Sequence, residues 1–178
     1  PGGRLPKLGG LSRLALGSAA ARREIAAEFD RQLDAFEEAL GRAPDFVDGH
    51  QHVHVLPGVR RAVLDAVARR YPLGSVYLRD PADSVSAIRA RGVAVGKALV
   101  IAGLAAGLRP AAARRGIPLN HGFSGVSPFD PTRDFAADLP RFLKRPGRAH
   151  LVMCHPGFID DELRALDPVI GSRPVEHA

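Results

Sequence analysis

The sequence predicts an α/β protein with a mainly parallel sheet, and two observations lead to this fold class. Segments with the periodicity of amphipathic helices, about 3.6 residues, alternate along the chain with short apolar runs that are typical of strands. Polar residues of catalytic types directly follow three of those runs, as happens at the carboxyl ends of strands in parallel sheets. The 178 residues show no internal repeat and no linker, so we expect a single domain over residues 1–178.

The N-terminal part is predicted to consist of a loop, two helices and two strands. Residues 1–17 are rich in Gly and Pro, which favours a loop with at most a short turn near 11–16. Apolar residues then recur at steps of four and three between Ile25 and Leu40, which predicts a helix that ends at Gly41. The elements predicted here are a helix at 18–40, a strand at 45–48, a helix at 58–70 and a strand at 75–79.

The C-terminal part continues the alternation of helices and strands. Proline should bend or break one helix near Pro110, and Pro140 lies in the second half of another. The segment 120–125, with two glycines, is predicted to be a loop. The elements predicted here are helices at 84–91, 93–114 and 134–143, an edge strand at 117–119 and an apolar strand at 150–154.

Composition excludes several classes of function. The net charge is +6, but the arginines are scattered and tryptophan is absent, so we expect no binding of nucleic acid. The most apolar run, Ala98–Leu108, is shorter than the roughly 20 residues that span a bilayer, so we expect no stable membrane insertion. Cys154 is the single cysteine, which excludes an internal disulfide and a zinc site built on cysteines. Because nothing marks the chain for secretion, we expect it in the cytoplasm.

The run Asp48–His54 concentrates the residues that are best suited to chemistry. It holds three of the seven histidines at alternate positions behind a carboxylate, and in an extended strand all four side chains would point to one side. Imidazole binds divalent metals and exchanges protons near neutral pH, which favours a metal or catalytic role. The alternative is a set of hydrogen-bonded histidines at a strand end. The residues concerned are Asp48, His50, His52 and His54.

Two further polar residues follow predicted strands. Arg79 ends the strand at 75–79, and His155 directly follows the strand at 150–154. Together with Asp48 they place three chemically useful residues at the carboxyl ends of three strands, which indicates an enzyme. For Arg79, a surface ion pair with Asp80 or Asp83 is an equally good interpretation.

Two motifs resemble one known family. The run Phe46–His54, Phe-Val-Asp-Gly-His-Gln-His-Val-His, followed by Leu-Pro at 56–57, resembles the signature of the YdjC-like carbohydrate deacetylases. The run Leu151–Asp160, Leu-Val-Met-Cys-His-Pro-Gly-Phe-Ile-Asp, resembles that family's second motif. Within the family, the segments 122–125 and 172–176 are similar to the hopanoid-biosynthesis (HpnK-type) branch.

The resemblance implies a fold and an activity. The fold would be part of an irregular (β/α) barrel, and the activity a hydrolysis that removes the N-acetyl group of an acetylated amino sugar. The sugar would be an oligosaccharide, or would be linked to a glycolipid or hopanoid. The family's early Asp-Asp-Phe-Gly and Gly-x-His motifs are not found in this sequence. We therefore expect a partial domain that lacks the early strands and ends before the last barrel elements.

The resemblance also implies roles for residues and a divalent metal, Mg²⁺ or Zn²⁺. His50 corresponds to a metal ligand of the family, and His155 would protonate the leaving amine. Asp48 would orient a histidine or the water at the site. His52 and His54 would either contact the sugar or support the neighbouring site residues. Arg79 would bind a sugar hydroxyl or stabilise the oxyanion.

Alternative functions stay open at this point. One alternative is a catalytically incomplete fragment or binding module of the same fold. The other is a metal-dependent phosphoesterase that uses the same histidines. A phosphoesterase would need two metals and more carboxylates near the strand ends than the sequence offers. The expected partner is the acetylated amino-sugar substrate, and both a monomer and a homodimer are compatible with the sequence.

Overall fold

A computed structural model describes residues 6–167 and 170–177 of the chain. The described part divides into two units, each built from two stretches of sequence. The first unit comprises the described residues up to Asp80 together with Leu104–Asn120, and the second comprises Pro81–Gly103 together with the described residues from His121 onward.

Helices form most of the first unit. The longest, α2, begins after Ser18, whose hydroxyl accepts the Ala21 N–H at 3.3 Å, and ends at Gly41 in a left-handed conformation with φ of 65°. The predicted helix at 18–40 is therefore confirmed. The described elements of this unit are α1 (Leu8–Ala15), α2 (Ala19–Leu40), β1 (Phe46–Val47), a 3₁₀ segment (His50–Val55), α3 (Pro57–Arg70), β2 (Tyr77–Leu78) and, from the second stretch of sequence, α6 (Leu108–Ala113).

In the predicted loop at 1–17, Leu8–Ala15 form a helix, α1, while residues 1–5 of that prediction lie outside the described residues. Its glycines are tolerated because α1 packs against both α2 and α3. The contact with α3 is very close, since a Cβ at Gly58 would overlap the Ala15 carbonyl oxygen. Tertiary packing thus overrides the low helix propensity of the Gly-rich sequence.

The core of the first unit lies along α3. Its buried residues include Val63, Leu64 and Val67, of which Leu64 is completely inaccessible. The apolar residues that recur along one side of α2 are less buried than the sequence predicts. Leu33 is buried, whereas Leu40 is 54% exposed.

The two strands of the first unit pair in parallel, as predicted. Phe46 lies opposite Tyr77 and Val47 opposite Leu78, and the two aromatic rings stack with centroids 5.5 Å apart. Leu119 forms an isolated parallel bridge to Leu78, so one residue of the edge strand predicted at 117–119 pairs with β2. Both strands are shorter than predicted, and Asp48 and Arg79 lie just beyond their carboxyl ends.

The second unit contains the other parallel strand pair. Phe123 pairs with Leu151 and Ser124 with Val152, so the predicted loop at 120–125 contains a strand. Buried residues Ile88, Ile101 and Phe123 belong to its core cluster. The described elements from Pro81 onward, in either unit, are α4 (Val85–Arg91), α5 (Val95–Ala105), α6 (Leu108–Ala113), β3 (Phe123–Ser124), α7 (Phe135–Phe142), β4 (Leu151–Val152), α8 (Asp161–Leu166) and α9 (Arg173–His177).

The helix predicted at 93–114 is interrupted, but not at Pro110. The interruption lies between α5 and α6 at residues 106–107, and Pro110 sits in the first turn of α6. A proline there removes no hydrogen bond, because the first N–H groups of a helix have no partner within the helix. Pro140 lies in the second half of α7, beyond its first turn, and α7 begins after the cap residue Asp134.

Within the described residues, one helical stretch is long and apolar enough to cross a membrane by length and composition alone. It is Val95–Ala113, with 19 residues and a mean hydropathy of 1.3, and 28% of it is buried in the protein. It is longer than the apolar run Ala98–Leu108 considered above. Core helices of soluble proteins have the same properties, so the absence of membrane insertion stays a prediction.

The described residues combine helices with short parallel sheets, which is compatible with the predicted α/β class. The described strands form two sheets of two strands each, which is little sheet for a barrel. The irregular barrel implied by the resemblance therefore stays a prediction.

Candidate functional site

The histidine run is a 3₁₀ segment, not the extended strand that the alternating histidines predicted. Gln51 and His52 adopt left-handed backbone conformations with φ of 52° and 60°. The His52 N–H donates to the Gly49 carbonyl at 2.9 Å and thereby closes a turn. Because strand geometry ends at Val47, the three histidines do not share a side: His54 is buried and His50 is exposed.

His54 is a hydrogen-bonded histidine inside the first unit. The Gly49 N–H donates to His54 Nδ1 at 3.2 Å, so Nε2 carries the proton and donates to the Arg79 carbonyl oxygen at 2.8 Å. Burial, and then the positive charge of Arg79, lower the pKa of His54 to about 4. With 1% exposure and both nitrogens engaged, the geometry favours a supporting role for His54 over a sugar contact.

Arg79 joins the ends of the two parallel strands. It follows β2, is 4% exposed, and its Nε donates to Asp48 Oδ1 at 2.6 Å. Its Nη1 lies 2.9 Å from His52 Nδ1 and its Nη2 donates to the Gly49 carbonyl at 3.2 Å. The surface ion pair with Asp80 or Asp83 considered above is therefore wrong: Arg79 is buried, and its carboxylate partner is Asp48.

These contacts also orient the other polar side chains of the loop. Since Arg79 donates to His52 Nδ1, a neutral His52 ring carries its proton on Nε2. Asp48 is 46% exposed and has one oxygen engaged by Arg79. His50 is exposed, and no side-chain hydrogen bond to it is found within the described residues.

The donor set does not fit a complete metal centre. In the described ranges 6–167 and 170–177, no group of three or more His, Cys, Asp or Glu side chains is placed to hold a metal ion. Both nitrogens of His54 are used within the protein, and Arg79 occupies Nδ1 of His52. His50 alone matches the ligand position that the family resemblance implies, and a metal site needs three or more ligands.

A second polar cluster follows β2, and sequence reasoning missed it. Asp80 is 1% exposed; its N–H donates to Asn120 Oδ1 at 2.6 Å, and Asn120 Nδ2 donates back to the Asp80 carbonyl at 2.9 Å. The Arg109 guanidinium donates to Asp80 Oδ2 at 2.6 Å. These contacts fix the backbone position of the residues that follow β2. The one signal in the sequence is the Asp-Pro pair that ends the predicted strand.

In the second unit, His155 lies three residues beyond β4. Its backbone N–H donates to Glu176 Oε2 at 2.5 Å, and its Nδ1 lies 3.7 Å from that oxygen. The Phe129 ring meets the imidazole edge-on at a centroid distance of 5.2 Å. Burial lowers the pKa of His155; the charge of Glu176 opposes this, and those of Arg173 and Lys97 add to it.

Phe129 and Lys97 extend the surroundings of His155. Lys97 Nζ lies 3.9 Å from the centroid of the Phe129 ring and donates to the Ser127 carbonyl at 3.0 Å. Burial lowers the pKa of Lys97. No sequence pattern connects these residues with His155, because they come from separate stretches of chain.

Arg91 is a buried cation that sequence reasoning also missed. It is 4% exposed, pairs with Asp83 at 2.7 Å, and donates to the carbonyls of Phe123, Lys144 and Arg145. It thereby holds β3 and the turn before β4 in place. Cys154, at the end of the apolar strand predicted at 150–154, is exposed.

Comparison with known proteins finds one family that matches the whole chain. The model of that family, described as YdjC-like protein, matches residues 1–178. Among individual proteins, a chitooligosaccharide deacetylase of Yersinia pestis (strain Pestoides F) is 29% identical over 140 residues, 79% of this chain and 46% of that protein. A carbohydrate deacetylase of Mus musculus is 48% identical over 63 residues, 35% of this chain and 20% of that protein.

A carbohydrate deacetylase of Homo sapiens is 52% identical over 44 residues, which are 25% of this chain and 14% of that protein. The chain thus spans less than half of the length of each of these curated relatives. No solved structure matches the chain.

Proposed function

Because this chain belongs to the YdjC-like family, we propose that it acts in the hydrolysis of the N-acetyl group of an acetylated amino sugar. The observation that carries the proposal is the match of the family over residues 1–178. It is supported by relatives named carbohydrate deacetylase and chitooligosaccharide deacetylase. The recognition of the family from the two sequence motifs is thereby confirmed.

His155 is the proposed proton donor. When water has attacked the acetyl carbonyl and the C–N bond breaks, the leaving amine must gain a proton. An imidazole that is partly exposed, with one nitrogen buried beside a carboxylate, is suited to supply it, and the His155 side chain is 31% exposed. A general acid of this kind contributes roughly 10²–10⁴-fold to the rate.

The loop after β1 is the proposed binding site for the sugar. Arg79 is buried, so we propose that it acts through Asp48 and His52, whose orientations it fixes, rather than by touching the sugar. The second carboxylate oxygen of Asp48, whose side chain is 46% exposed, is the group that we propose binds a sugar hydroxyl. A sugar contact of His52 stays a prediction. His54 supports this loop from inside.

His50 is proposed as one ligand of a divalent metal, Mg²⁺ or Zn²⁺. Such an ion would polarise the acetyl carbonyl and acidify a bound water. The described residues do not supply a complete centre around His50. Metal dependence and the irregular barrel therefore rest on the family resemblance, as does the link to a hopanoid or other lipid-bound sugar.

A second candidate function is sugar binding without turnover. It is favoured by the donor set, because the described part of the chain contains no group of three metal-binding side chains. The phosphoesterase alternative needs even more ligands, since it requires two metals and the carboxylates that bridge or bind them.

Release of acetate from an N-acetylated chitooligosaccharide tests the proposal. The chain is assayed with Mg²⁺ and with Zn²⁺, and a phosphorylated sugar serves as the substrate for phosphoesterase activity. We expect acetate and no phosphate, and we expect His155→Gln to lower kcat by about 100-fold or more. His121→Gln, at an exposed histidine, is the matched control and should keep full activity.

The negative outcomes are distinct. A chain that releases no acetate but binds the oligosaccharide in a saturation-transfer NMR experiment is the binding module of the second candidate. A chain that neither turns over nor binds the sugar contradicts both functions, and phosphate release would replace them with the phosphoesterase.

A further inference from the structure

Four buried polar atoms without a hydrogen-bond partner lie in the turn after β4 and in the last helical segment. Within the described residues these are the only buried side-chain nitrogen or oxygen atoms in this condition, and they belong to His155 (Nδ1), Ser172 (Oγ), Arg173 (Nε) and Glu176 (Oε1). Unpaired buried polar groups are rare in folded proteins and often occur at functional sites. Two of the four belong to His155 and Glu176, whose side chains lie within ion-pair distance of each other.

Glu176 contacts both the backbone and the ring of His155. Its side chain is 3% exposed, and its Oε2 accepts the His155 N–H at 2.5 Å. The same oxygen lies 3.7 Å from Nδ1, too far for a hydrogen bond but within ion-pair range. Hydrogen bonds of catalytic groups are often long without substrate and shorten when it binds. Because Nδ1 is buried, the exposed part of the ring lies away from Glu176.

The charges around His155 show why this carboxylate matters. Burial and two cations, Arg173 and Lys97, disfavour the protonated ring. Asp167 favours protonation but is engaged by Arg173 at 2.7 Å. Glu176 is the largest influence that favours it. Phe129, on another side of the ring, is uncharged. Without Glu176, a proton on His155 would be surrounded mainly by apolar atoms and positive charge.

We propose that Glu176 is a positioning residue for His155. Its carboxylate accepts a hydrogen bond from Nδ1–H, which leaves Nε2 as the nitrogen directed to the substrate. In the protonated ring, Nε2 gives its proton to the leaving amine as the C–N bond breaks, and the neutral ring keeps its proton on Nδ1, hydrogen-bonded to the Glu176 carboxylate. The pairing is a property of the folded chain, whereas its use in amine protonation rests on the proposed function.

NMR titration of the histidine rings tests the pairing without any need for turnover. The signals of His155 are assigned by their loss in His155→Gln, and 15N shifts report the tautomer. We expect the proton of the neutral ring on Nδ1 in the wild-type chain. In Glu176→Gln we expect the pKa of His155 to fall by about one unit, because the largest favourable charge is removed.

Glu24→Gln is the matched control, since it removes one carboxylate from an exposed position of α2 and should leave His155 unchanged. A wild-type neutral ring with its proton on Nε2 overturns the proposal even if Glu176→Gln does not fold. So does a folded Glu176→Gln variant whose His155 keeps its pKa and tautomer.

Kinetics separate this proposal from the proposed function. If the chain releases acetate, Glu176→Gln should shift the alkaline fall of kcat to lower pH by the same one unit or so, with KM within about twofold. If the chain releases none, the function fails while the titration still decides the pairing. An unchanged pH profile in an active Glu176→Gln variant would show that Glu176 does not act through His155.

Discussion

At the scale of single residues, Arg79 connects more of the candidate site than any histidine does. Its guanidinium donates to a carboxylate, an imidazole and a backbone carbonyl, and its own carbonyl accepts from His54. A planar group with five donors suits this arrangement, whereas a lysine ammonium has a single charged atom. The orientation of the loop after β1 therefore depends on an arginine in particular.

Arg79→Lys should destabilise the protein by about 2 kcal/mol, because it breaks charged hydrogen bonds in a buried position. Urea unfolding measures the loss. Arg42→Lys is the control, since its ion pair with Asp45 is exposed on both sides and should change stability by less than about 0.5 kcal/mol. Equal effects of the two substitutions would contradict the role given to Arg79.

His54 makes stability depend on pH. Its pKa is about 4 in the folded protein and about 6.5 in the unfolded chain, so the unfolded state binds more protons between these values. The contribution of His54 to the free energy of unfolding is fully present above about pH 6.5. It is lost as the pH falls towards 4, by about 3 kcal/mol in total.

Urea unfolding at a series of pH values, in wild type and in His54→Gln, isolates this contribution. The difference in unfolding free energy between the two proteins should shrink as the pH falls through that window. In His121→Gln, which alters an exposed histidine, the wild-type dependence should persist. Parallel curves for wild type and His54→Gln would show that His54 is not buried in its neutral form.

The sequence predicted which candidate residues follow the strands better than it predicted the backbone conformation that carries them. Asp48 and Arg79 were expected together because each follows a strand, and the parallel pair brings them into contact. The extended conformation predicted for the histidines was wrong. The left-handed conformation of Gln51 has no signal in residue type, and the mild preference of histidine for it is too weak to predict one at His52. Glu176 was missed since it is 21 residues from His155 and reaches it only through the fold.

At the scale of elements, the approach of α1 to α3 depends on one glycine. The chain can adopt this packing because Gly58 has no Cβ to meet the Ala15 carbonyl. In α5, by contrast, a Cβ at Gly103 would have no atom within 4 Å. The same substitution should therefore act in opposite directions at the two positions.

Gly103→Ala should raise the unfolding free energy by about 0.5–1 kcal/mol, since it removes backbone freedom from the unfolded chain without a clash. Gly58→Ala should lower it by more than about 1 kcal/mol, because α1 must move from α3. Thermal and urea unfolding of the two variants measure both. A stabilising Gly58→Ala would show that α1 does not pack on α3 as described.

Elements with strong periodicity were predicted well, and those that depend on tertiary contacts were not. The helix α2 was predicted correctly because its apolar periodicity and the residues at its two ends indicate the same helix. The helix α1 and the strand β3 were missed, since a Gly-rich segment becomes helical only through packing, and two paired residues leave too short a pattern to recognise.

At the scale of the whole molecule, the described residues offer no complete metal site, which has a measurable consequence. A metal stabilises a protein only by binding its folded form better than its unfolded form. Because His50, as a single proposed ligand, would hold a divalent metal only weakly, we expect excess EDTA, Mg²⁺ or Zn²⁺ to change the melting temperature by less than about 1 °C.

Differential scanning fluorimetry of wild type and His50→Ala measures this. A rise of several degrees with either metal, lost in His50→Ala, would contradict the expectation and identify a centre built around His50. A rise that persists in His50→Ala would contradict it too, and would indicate binding elsewhere in the chain.

The single thiol lies directly beside the proposed proton donor. Cys154 is exposed and is the chain's one cysteine, and partial burial together with the charge of Glu176 raises its pKa. A maleimide fluorophore or a nitroxide would therefore attach at one position without engineered mutations, although slowly and best in mildly alkaline buffer, since the thiolate is the reactive form. The native chain thus carries its own attachment point for a spectroscopic reporter next to His155.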